Sequence, residues 1–599
     1  MTFKSLIFSL TAAALIAAGC GPDGPEEPDN PDTPDVPKLS ELQIYFGSDE
    51  FAAAAGETIS IPFSIAGVEG KSLTLAANAD NELAELKVSN DASYAGNIKF
   101  TAPYVMPSEG SINVTLSAED KANNRRTQNT VPVKVSASEP FEAIWLSDMK
   151  SVALKEGGSF KVFFTITGIE PAAVVLSAPV ATVSSGYSAN VTMTSKNEGY
   201  VTVTASSLTS SVDISLKAED NFSRSSQISK TLEIVAVQET SGASNCYIVA
   251  PGETKAINAK VKGGSAEPLE FDYAVLLWQD ARGLIKSVAG SGEEGVIVVQ
   301  TNSISGNAVV AAVLGTTIVW SWHLWVTDYD PEAAPLVFTN KTTEVTYTMM
   351  DRNLGARSEK AGTNDCFGLL YQWGRKDPFV GARGIEEDVL INKYDIDGNV
   401  IPDRVLLYDW SAMKSGDQNI DLAIQNPDAF ILPKSGSSTS SLFTDWLTTV
   451  AADQDNDLWG FVSKYKTKYD PCPEGWRVSP SAAWTFRKLY HKEGQLNDAR
   501  PYDNTYPWYF DDKRDGGTDA GFYYNDSEKG IKYFFPLCGK RDNASGSQSG
   551  TGGGCDYWTP EPSNKYAMVE LFAWGNPSSE TGLRRDYGYS IRCVKDYNY

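Results

Sequence analysis

The feature that most constrains the fold of this chain is an internal duplication. Residues 114–120 read VTLSAED, and residues 214–220, 100 positions later, read ISLKAED. Near the start of each copy, apolar residues alternate with polar or small ones up to a glycine, over 59–67 and again over 160–168. A period of two that ends at glycine indicates half-buried strands. We therefore predict two successive β domains, 39–138 and 139–238.

Each copy has the size of an immunoglobulin-like β-sandwich, about 100 residues with several short strands. Both are similar to the Ig-like repeats common in bacterial surface proteins. Pro62 lies within a strand pattern of the first copy, and because proline has no N–H to donate, we predict an edge strand there. A third β-rich module is predicted over 239–330. Four tryptophans are expected to fill its core: Trp278, Trp320, Trp322 and Trp325.

The first twenty residues have the pattern of a secreted lipoprotein. Lys4 precedes an apolar run from Leu6 to Ile16, and small residues lead up to Cys20. The run is too short to span a hydrocarbon core of ~30 Å and is typical of a signal peptide, here 1–19. It resembles the bacterial lipoprotein signal, which implies that Cys20 is acylated and begins the mature protein. Since two or more acyl chains give a durable anchor, we predict attachment to a membrane through lipid.

Residues 20–38 are predicted to form a tether. Proline occupies every third position from Pro22 to Pro37, and an acid follows five of these six prolines. A polyproline II helix has three residues per turn and rises about 3.1 Å per residue, so the segment is a semi-rigid acidic spacer of roughly 55 Å. Acids just after the cysteine also resemble the export signal of Bacteroidota surface lipoproteins. This resemblance implies the outer membrane, with exposure on the cell surface.

Charge and composition argue against several classes of function. The formal net charge is −25 and no basic stripe is present, so nucleic acid is not an expected partner. The chain has two histidines, His323 and His491, so a Ser-His-Asp triad or a multi-histidine zinc site has almost nothing to build on, and both histidines are expected to be structural. We predict no catalytic residue, no metal and no cofactor. The aspartate-rich stretches 395–399 and 453–457 lack the glutamate of an EF-hand and are interpreted as turns, with calcium binding left open.

The region 331–599 differs from the rest of the chain and contains nine of the fourteen tryptophans. Four of its stretches resemble the Fibrobacter succinogenes major paralogous domain: 350–356, 371–379, 470–478 and 589–596. The resemblance implies an α+β fold similar to C-type lectins and formylglycine-generating enzyme. Residues 481–490 fit the expected helix, with Trp484 and Phe486 on its apolar face. The whole chain is thus predicted to be multidomain and mainly β.

Six cysteines follow the acylated one, and an even number in a secreted chain favours disulfides. Cys472 and Cys593 lie in the two most family-like strands. Their pairing would close a loop of about 120 residues, which contributes on the order of 4–5 kcal/mol in the chain-entropy model. Cys538 and Cys555 flank a Gly/Ser-rich excursion and could bridge the strands on either side. The pairing of two further cysteines stays open: Cys246 and Cys366.

These features favour a non-catalytic recognition or adhesion protein in which β modules present the lectin-like domain. Its ligand, a glycan or a surface protein, is predicted to bind a loop that combines aromatic faces with carboxylates. The loop residues are Tyr506, Trp508, Tyr509, Asp511 and Asp512. An accessory or tip subunit of a pilus-like assembly is the alternative. An enzyme similar to formylglycine-generating enzyme is disfavoured, because Gly588 stands where the first cysteine of that family's final-strand pair is expected.

Overall fold

The computed structural model shows a mainly β chain, which confirms the predicted class. It describes residues 39–69, 73–170, 172–340, 342–384, 387–409, 413–434, 445–490, 508–511, 521–526, 529–573 and 576–596. The chain forms two compact units, Met1–Ser138 and Glu139–Tyr599. Within the described ranges, no helix has both the length and the apolar character needed to cross a membrane.

The described residues of the first unit form a β-sandwich of eight strands. They are β1 (Gln43–Phe46), β2 (Phe51–Ala53), β3 (Thr58–Ala66), β4 (Thr74–Ala79), β5 (Glu85–Asn90), β6 (Gly96–Thr101), β7 (Gly110–Asp120) and β8 (Arg125–Val135). One sheet has the order β1-β3-β6-β5 and the other β2-β8-β7-β4. The alternating apolar residues point inward, so that Ile61, Phe63, Val114 and Leu116 are buried in one core. The period of two in the sequence therefore corresponds to one buried face per strand.

The predicted edge position of Pro62 is wrong, because β3 lies between β1 and β6. The sheet tolerates the proline because β1 ends at Phe46, one residue before the position opposite Pro62. Gly47 still donates its N–H to the Pro62 carbonyl at 2.9 Å. The bond in the other direction is missing, because Pro62 has no N–H to donate to Gly47. A Cβ on Gly47 would lie 2.6 Å from Pro62 Cγ, so this position requires glycine.

The second unit begins with a second sandwich and the predicted third module. Their strands are β9 (Ala143–Trp145), β10 (Ser151–Leu154), β11 (Ser159–Ile166), β12 (Val180–Val183), β13 (Tyr187–Met193), β14 (Glu198–Ala205), β15 (Ser211–Glu219), β16 (Ser225–Ala236), β17 (Cys246–Val249), β18 (Thr254–Asn258), β19 (Tyr273–Gln279), β20 (Ile285–Ser291), β21 (Val296–Thr301), β22 (Gly306–Leu314) and β23 (Thr317–Val326). A four-stranded sheet, β13-β14-β11-β9, packs on a seven-stranded one, β12-β15-β16-β10-β20-β21-β18.

A largely buried arginine–aspartate pair recurs in the two copies of the duplicated motif. Asp120 ends β7, and Arg125 donates to its carboxylate at 2.7 Å and to the carbonyl of Gly67 at 3.0 Å. The arginine therefore joins the VTLSAED motif to the glycine that ends the earlier alternating strand. The second copy makes the same contacts with these residues: Asp220, Arg224 and Gly168. Both glycines have positive φ, which other residues rarely adopt.

The sheets of the second unit run across the predicted boundaries at 238/239 and 330/331. β10 pairs in parallel with both β16 and β20, which joins the second sandwich to the third module. A six-stranded sheet, β17-β23-β22-β19-β29-β30, continues from the third module into two short strands, β29 (Lys393–Tyr394) and β30 (Val400–Ile401). Strands of one predicted module therefore supply hydrogen-bond partners for the backbone N–H and C=O groups of strands in the next module.

The C-terminal region is built from many short strands and little helix. Its other strands are β24 (Leu336–Thr339), β25 (Thr346–Met349), β26 (Leu370–Gln372), β27 (Ala382–Gly384), β28 (Glu387–Leu390), β31 (Arg404–Tyr408), β32 (Ala429–Pro433), β33 (Trp476–Val478), β34 (Trp508–Asp511), β35 (Gly521–Asp526), β36 (Ile531–Pro536), β37 (Lys540–Arg541), β38 (Gln548–Ser549), β39 (Gly554–Ser563), β40 (Tyr566–Ala573), β41 (Asn576–Leu583), β42 (Gly588–Ser590) and β43 (Cys593–Lys595). Among the described residues of this region, the helical segments are α1 (Ile420–Gln425) and three 3₁₀ segments, Asn364–Cys366, Ala451–Asp453 and Ser481–Tyr490.

The largest core of this unit draws on both the third module and the C-terminal region. Trp278 and Trp325 from the third module pack in one cluster with Trp373 and Trp459. Two of these indole N–H groups donate to carbonyls: that of Trp373 to Thr559 at 2.9 Å and that of Trp325 to Ala356 at 3.2 Å. Residues 481–490 are helical as expected, but as 3₁₀ rather than α, with Trp484 and Phe486 fully buried.

Candidate functional site

The aromatic loop predicted to bind ligand lies only partly within the described residues. Tyr506 and Asp512, like the lipidation residue Cys20, lie outside them. Residues 508–511, which include Trp508, Tyr509 and Asp511, form strand β34, the edge of a three-stranded sheet with the order β34-β35-β36. The ligand-binding role of this loop stays a prediction.

A disulfide joins Cys472 to Cys593, the pair suggested by the family-like strands. Cys538 and Cys555 face each other with their Sγ atoms 2.9 Å apart, and Ser590 Oγ lies 3.0 Å from Cys538 Sγ. That separation exceeds a disulfide bond of about 2.05 Å, so the structure holds them as two buried thiols. A bridge between them remains a prediction.

A polar cleft of about 620 Å³ opens beside the other edge of the β34-β35-β36 sheet. Three segments that are far apart in sequence line it: the chain leaving β23, the loop after β25, and the start of β36. Its charged and aromatic side chains are Asp328, Tyr329, Asp330, Asp351, Arg352, Arg357, Glu359, Lys532 and Tyr533. A cavity of this volume lies within the range of small-ligand sites.

Arg352 forms the floor of this cleft and is held rigidly. Its Nε and Nη2 donate to the two carboxylate oxygens of Asp351 at 2.8 and 3.1 Å, and Nη2 also donates to Glu359 at 3.0 Å. The guanidinium lies 3.9 Å from the centroid of the Tyr329 ring. Burial disfavours its charge, but the hydrogen bond and charge of Asp351 outweigh burial and raise the pKa of Arg352. The floor is therefore a preorganised charge pair rather than a mobile side chain.

The walls of the cleft combine a buried tyrosine with exposed hydrogen-bond acceptors. Tyr533 is buried and donates its hydroxyl to the Pro335 carbonyl at 2.9 Å, and burial raises its pKa to about 12, so it stays neutral. The carboxylates of Asp328 and Asp330 are exposed and lie in the segment that leaves β23. Because carboxylates only accept hydrogen bonds, the cleft suits a ligand rich in hydroxyl donors.

The cleft is not apparent from the sequence, although one of the family-like motifs forms part of it. Asp351 and Arg352 belong to the motif 350–356, and Asp328 lies just after strand β23. The motif 350–356 also meets the closing motif 589–596, since Arg592 donates to the Asn353 side chain at 3.0 Å. Only the fold shows that these motifs lie near residues 531–533.

A cysteine and a histidine also meet, but in the core. Cys246 Sγ lies 3.3 Å from His323 Nδ1, and His323 Nε2 lies 3.0 Å from Asn307 Oδ1. This resembles a nucleophile–base arrangement in distance alone. Cys246 and His323 are each only 1% exposed, and burial raises the thiol pKa and lowers the histidine pKa. A neutral, enclosed pair has neither an activated thiolate nor access for a substrate.

We expect this buried histidine to make the protein less stable in acid. Burial lowers the pKa of His323 to about 3, whereas an unfolded histidine titrates near 6.5. Between these values the unfolded chain binds the extra proton, so the free energy of unfolding falls as pH falls below about 6.5. The slope from this residue is about 1.4 kcal/mol per pH unit.

The measurement is urea unfolding between pH 7 and pH 4 for the wild type and for His323→Gln. The variant is expected to be less stable at pH 7, because Gln replaces a packed ring. Its free energy of unfolding should, however, fall less steeply with decreasing pH, by about 1.4 kcal/mol per pH unit. All other titrating groups are common to both proteins and cancel in the difference. If the free energy of unfolding depends on pH equally in both proteins, His323 is not a source of the acid sensitivity.

The two aspartate-rich stretches are closed by the protein's own hydrogen bonds. Asp395 accepts from the N–H and the side-chain amide of Asn399 at 2.8 and 3.0 Å, in the hairpin between β29 and β30. Asp457 accepts from the N–H groups of Val462 and Ser463. Within the described ranges, no group of three or more His, Cys, Asp or Glu side chains is arranged to hold a metal ion.

Comparison with known proteins gives no family assignment for the chain. No family model matches it, and no curated protein is significantly similar. Among solved structures, titin domains Z1Z2 in complex with telethonin are 15% identical over 34% of this chain and 100% of that chain, with a TM-score of 0.20. The Yersinia pseudotuberculosis adhesin InvE is 14% identical over 32% and 58%, with a TM-score of 0.17. Scores of this size carry no argument about function.

Proposed function

We propose that this protein is a lipid-anchored surface recognition protein whose C-terminal region binds a glycan. In this proposal the signal peptide 1–19 is removed, Cys20 carries the lipid, and the acidic tether 20–38 raises the β modules above the outer membrane. The C-terminal region acts as a lectin-like domain of the Fibrobacter major paralogous type. The observation that carries the proposal is the rigid Arg352 floor in a cleft lined by carboxylates and tyrosines.

The chemistry of the cleft favours a neutral sugar over an anionic one. Carboxylates such as Asp328 and Asp330, which are exposed at the cleft, accept hydrogen bonds from vicinal hydroxyls. Arg352 is already paired with Asp351 and Glu359, and Arg357 with Asp365 at 2.5 Å. Because the arginines are neutralised, an anionic sugar gains little and is repelled by the remaining carboxylates.

The proposal includes no catalytic step. The Cys246–His323 contact is enclosed in the core, which supports a structural role for it. Cys593, which matches the second cysteine of the formylglycine-generating enzyme pattern, is bonded to Cys472 and so has no thiolate to offer.

Removing the two exposed carboxylates is expected to abolish most glycan binding without unfolding the protein. Asp328→Asn with Asp330→Asn keeps the shape of both side chains, removes their charge and replaces one acceptor oxygen of each by an amide donor. Each lost charged hydrogen bond is worth about 1.5–3 kcal/mol, so binding should weaken by at least about tenfold. The melting temperature should stay that of the wild type.

The experiment uses the unlipidated mature chain on an array of neutral and acidic glycans. Asp49→Asn, an exposed carboxylate in the first unit, is the matched control and should bind as the wild type does. Binding that survives the double substitution, or no binding to any neutral glycan, would refute the assignment of the cleft.

A further inference from the structure

A second pocket, of about 410 Å³, lies between the loop 460–465 and the start of the 3₁₀ segment Ser481–Tyr490. None of its lining residues belongs to the polar cleft. Its apolar walls are Tyr347, Phe461, Pro480, Ala482 and Pro560. Its charged members are Lys464, Arg477 and Glu561. The lining of this pocket is therefore mainly apolar with a few charges, whereas the lining of the cleft is mainly polar.

Lys464 is held over this pocket in an unusual backbone conformation. Its φ is +69°, in the left-handed region that favours glycine. Arg477 fixes the loop by donating to the carbonyls of Lys464 and Gly460 at 3.1 and 2.9 Å. The Lys464 Nζ lies 4.2 Å from the centroid of the Phe461 ring, so the cation sits directly beside an apolar wall. Lysine therefore occupies this position at a conformational cost that glycine would not have.

The other charges at the pocket are already engaged. Arg477 lies 3.6 Å from the Asp596 carboxylate in addition to its two carbonyl partners. Glu561 accepts from the Ser481 N–H at 2.9 Å, which orients it toward the start of the 3₁₀ segment. On the loop itself, Val462 and Tyr465 are 60% and 68% exposed. Exposed apolar side chains beside a concave apolar surface are typical of a binding site.

We propose that this pocket binds an apolar carboxylate, with the hydrocarbon body between Phe461 and the prolines and the carboxylate on Lys464. Charge complementarity favours an anion at Nζ, and the proline and ring walls favour a body without hydroxyls. A sugar is disfavoured because most of the lining offers no partner for its hydroxyl groups. Two sources supply such a group: the C-terminal residue of a peptide, or a free aliphatic acid.

The test measures binding of small probes to the unlipidated mature chain by calorimetry. N-acetylphenylalanine should bind at least about tenfold more tightly than its amide, because only the acid has the charge that Lys464 pairs with. Octanoate is the second probe. Tighter binding of N-acetylphenylalanine assigns a peptide end, and tighter binding of octanoate assigns a free acid; each supports the pocket.

Lys464→Gly separates binding from folding. Glycine relieves the strained φ, so the melting temperature should equal or exceed that of the wild type, while the preference for acid over amide should disappear. Lys434→Ala, an exposed lysine elsewhere in the same unit, should keep the preference. Equal binding of acid and amide, no binding of either, or an unchanged preference in Lys464→Gly would overturn the proposal.

Discussion

A fragment that starts at residue 331 is expected to fail to fold cooperatively, whereas a fragment that starts at residue 139 folds. The shorter fragment loses Trp278, Val309 and Trp325, which are buried in the same core as the C-terminal tryptophans. It also loses β19, the partner of β29. Truncating one buried tryptophan costs about 3–5 kcal/mol, so the combined loss is comparable to the 5–15 kcal/mol stability of a typical domain.

Near-UV circular dichroism and urea unfolding would check this expectation. The 139–599 fragment should show one sharp transition, and the 331–599 fragment should show weak tertiary signal and a broad one. An intermediate fragment, 239–599, lacks β10 and with it the bond from Ser151 to the Val288 carbonyl, and should be less stable than 139–599. A sharp transition at the same midpoint in the 331–599 fragment would contradict the shared core.

Replacing both bridged cysteines is expected to cost the second unit about 4–5 kcal/mol. Cys472 and Cys593 are 121 residues apart in sequence, and a cross-link over that distance removes much entropy from the unfolded chain. Both residues are fully buried, so alanine is the appropriate replacement because serine would bury a hydroxyl. The free energy of unfolding in urea is the measurement.

Cys246→Ala is the matched control for this variant. It also removes a buried sulfur, but one that forms no disulfide, so it should cost about 1 kcal/mol. A loss below that of the control in the double alanine variant would show that the cross-link contributes nothing. The disulfide matters for the cleft too, because Cys593 accepts a backbone hydrogen bond from Met350, the residue before Asp351.

Sequence reasoning predicted the parts of this molecule that depend on local order. Strands such as β3 and β11 follow from a period of two, because every second side chain must face the core. The duplication predicted two similar β modules, and the Asp120–Arg125 contact now gives a physical reason for the motif that revealed it. The pairing of Cys472 with Cys593 followed from a resemblance between their strands and a known family.

The parts decided by tertiary structure join residues that no local pattern relates. Ser151 meets Val288 because β10 has a sheet partner on each side, which the alternation within β10 does not encode. Pro62 could lie inside a sheet only because its neighbour, β1, ends one residue early. Arg352 and Tyr533 belong to one cleft because strands about 180 residues apart converge there. Periodicity determines which face of a strand is buried, but the choice of partner strand depends on the packing of the whole unit.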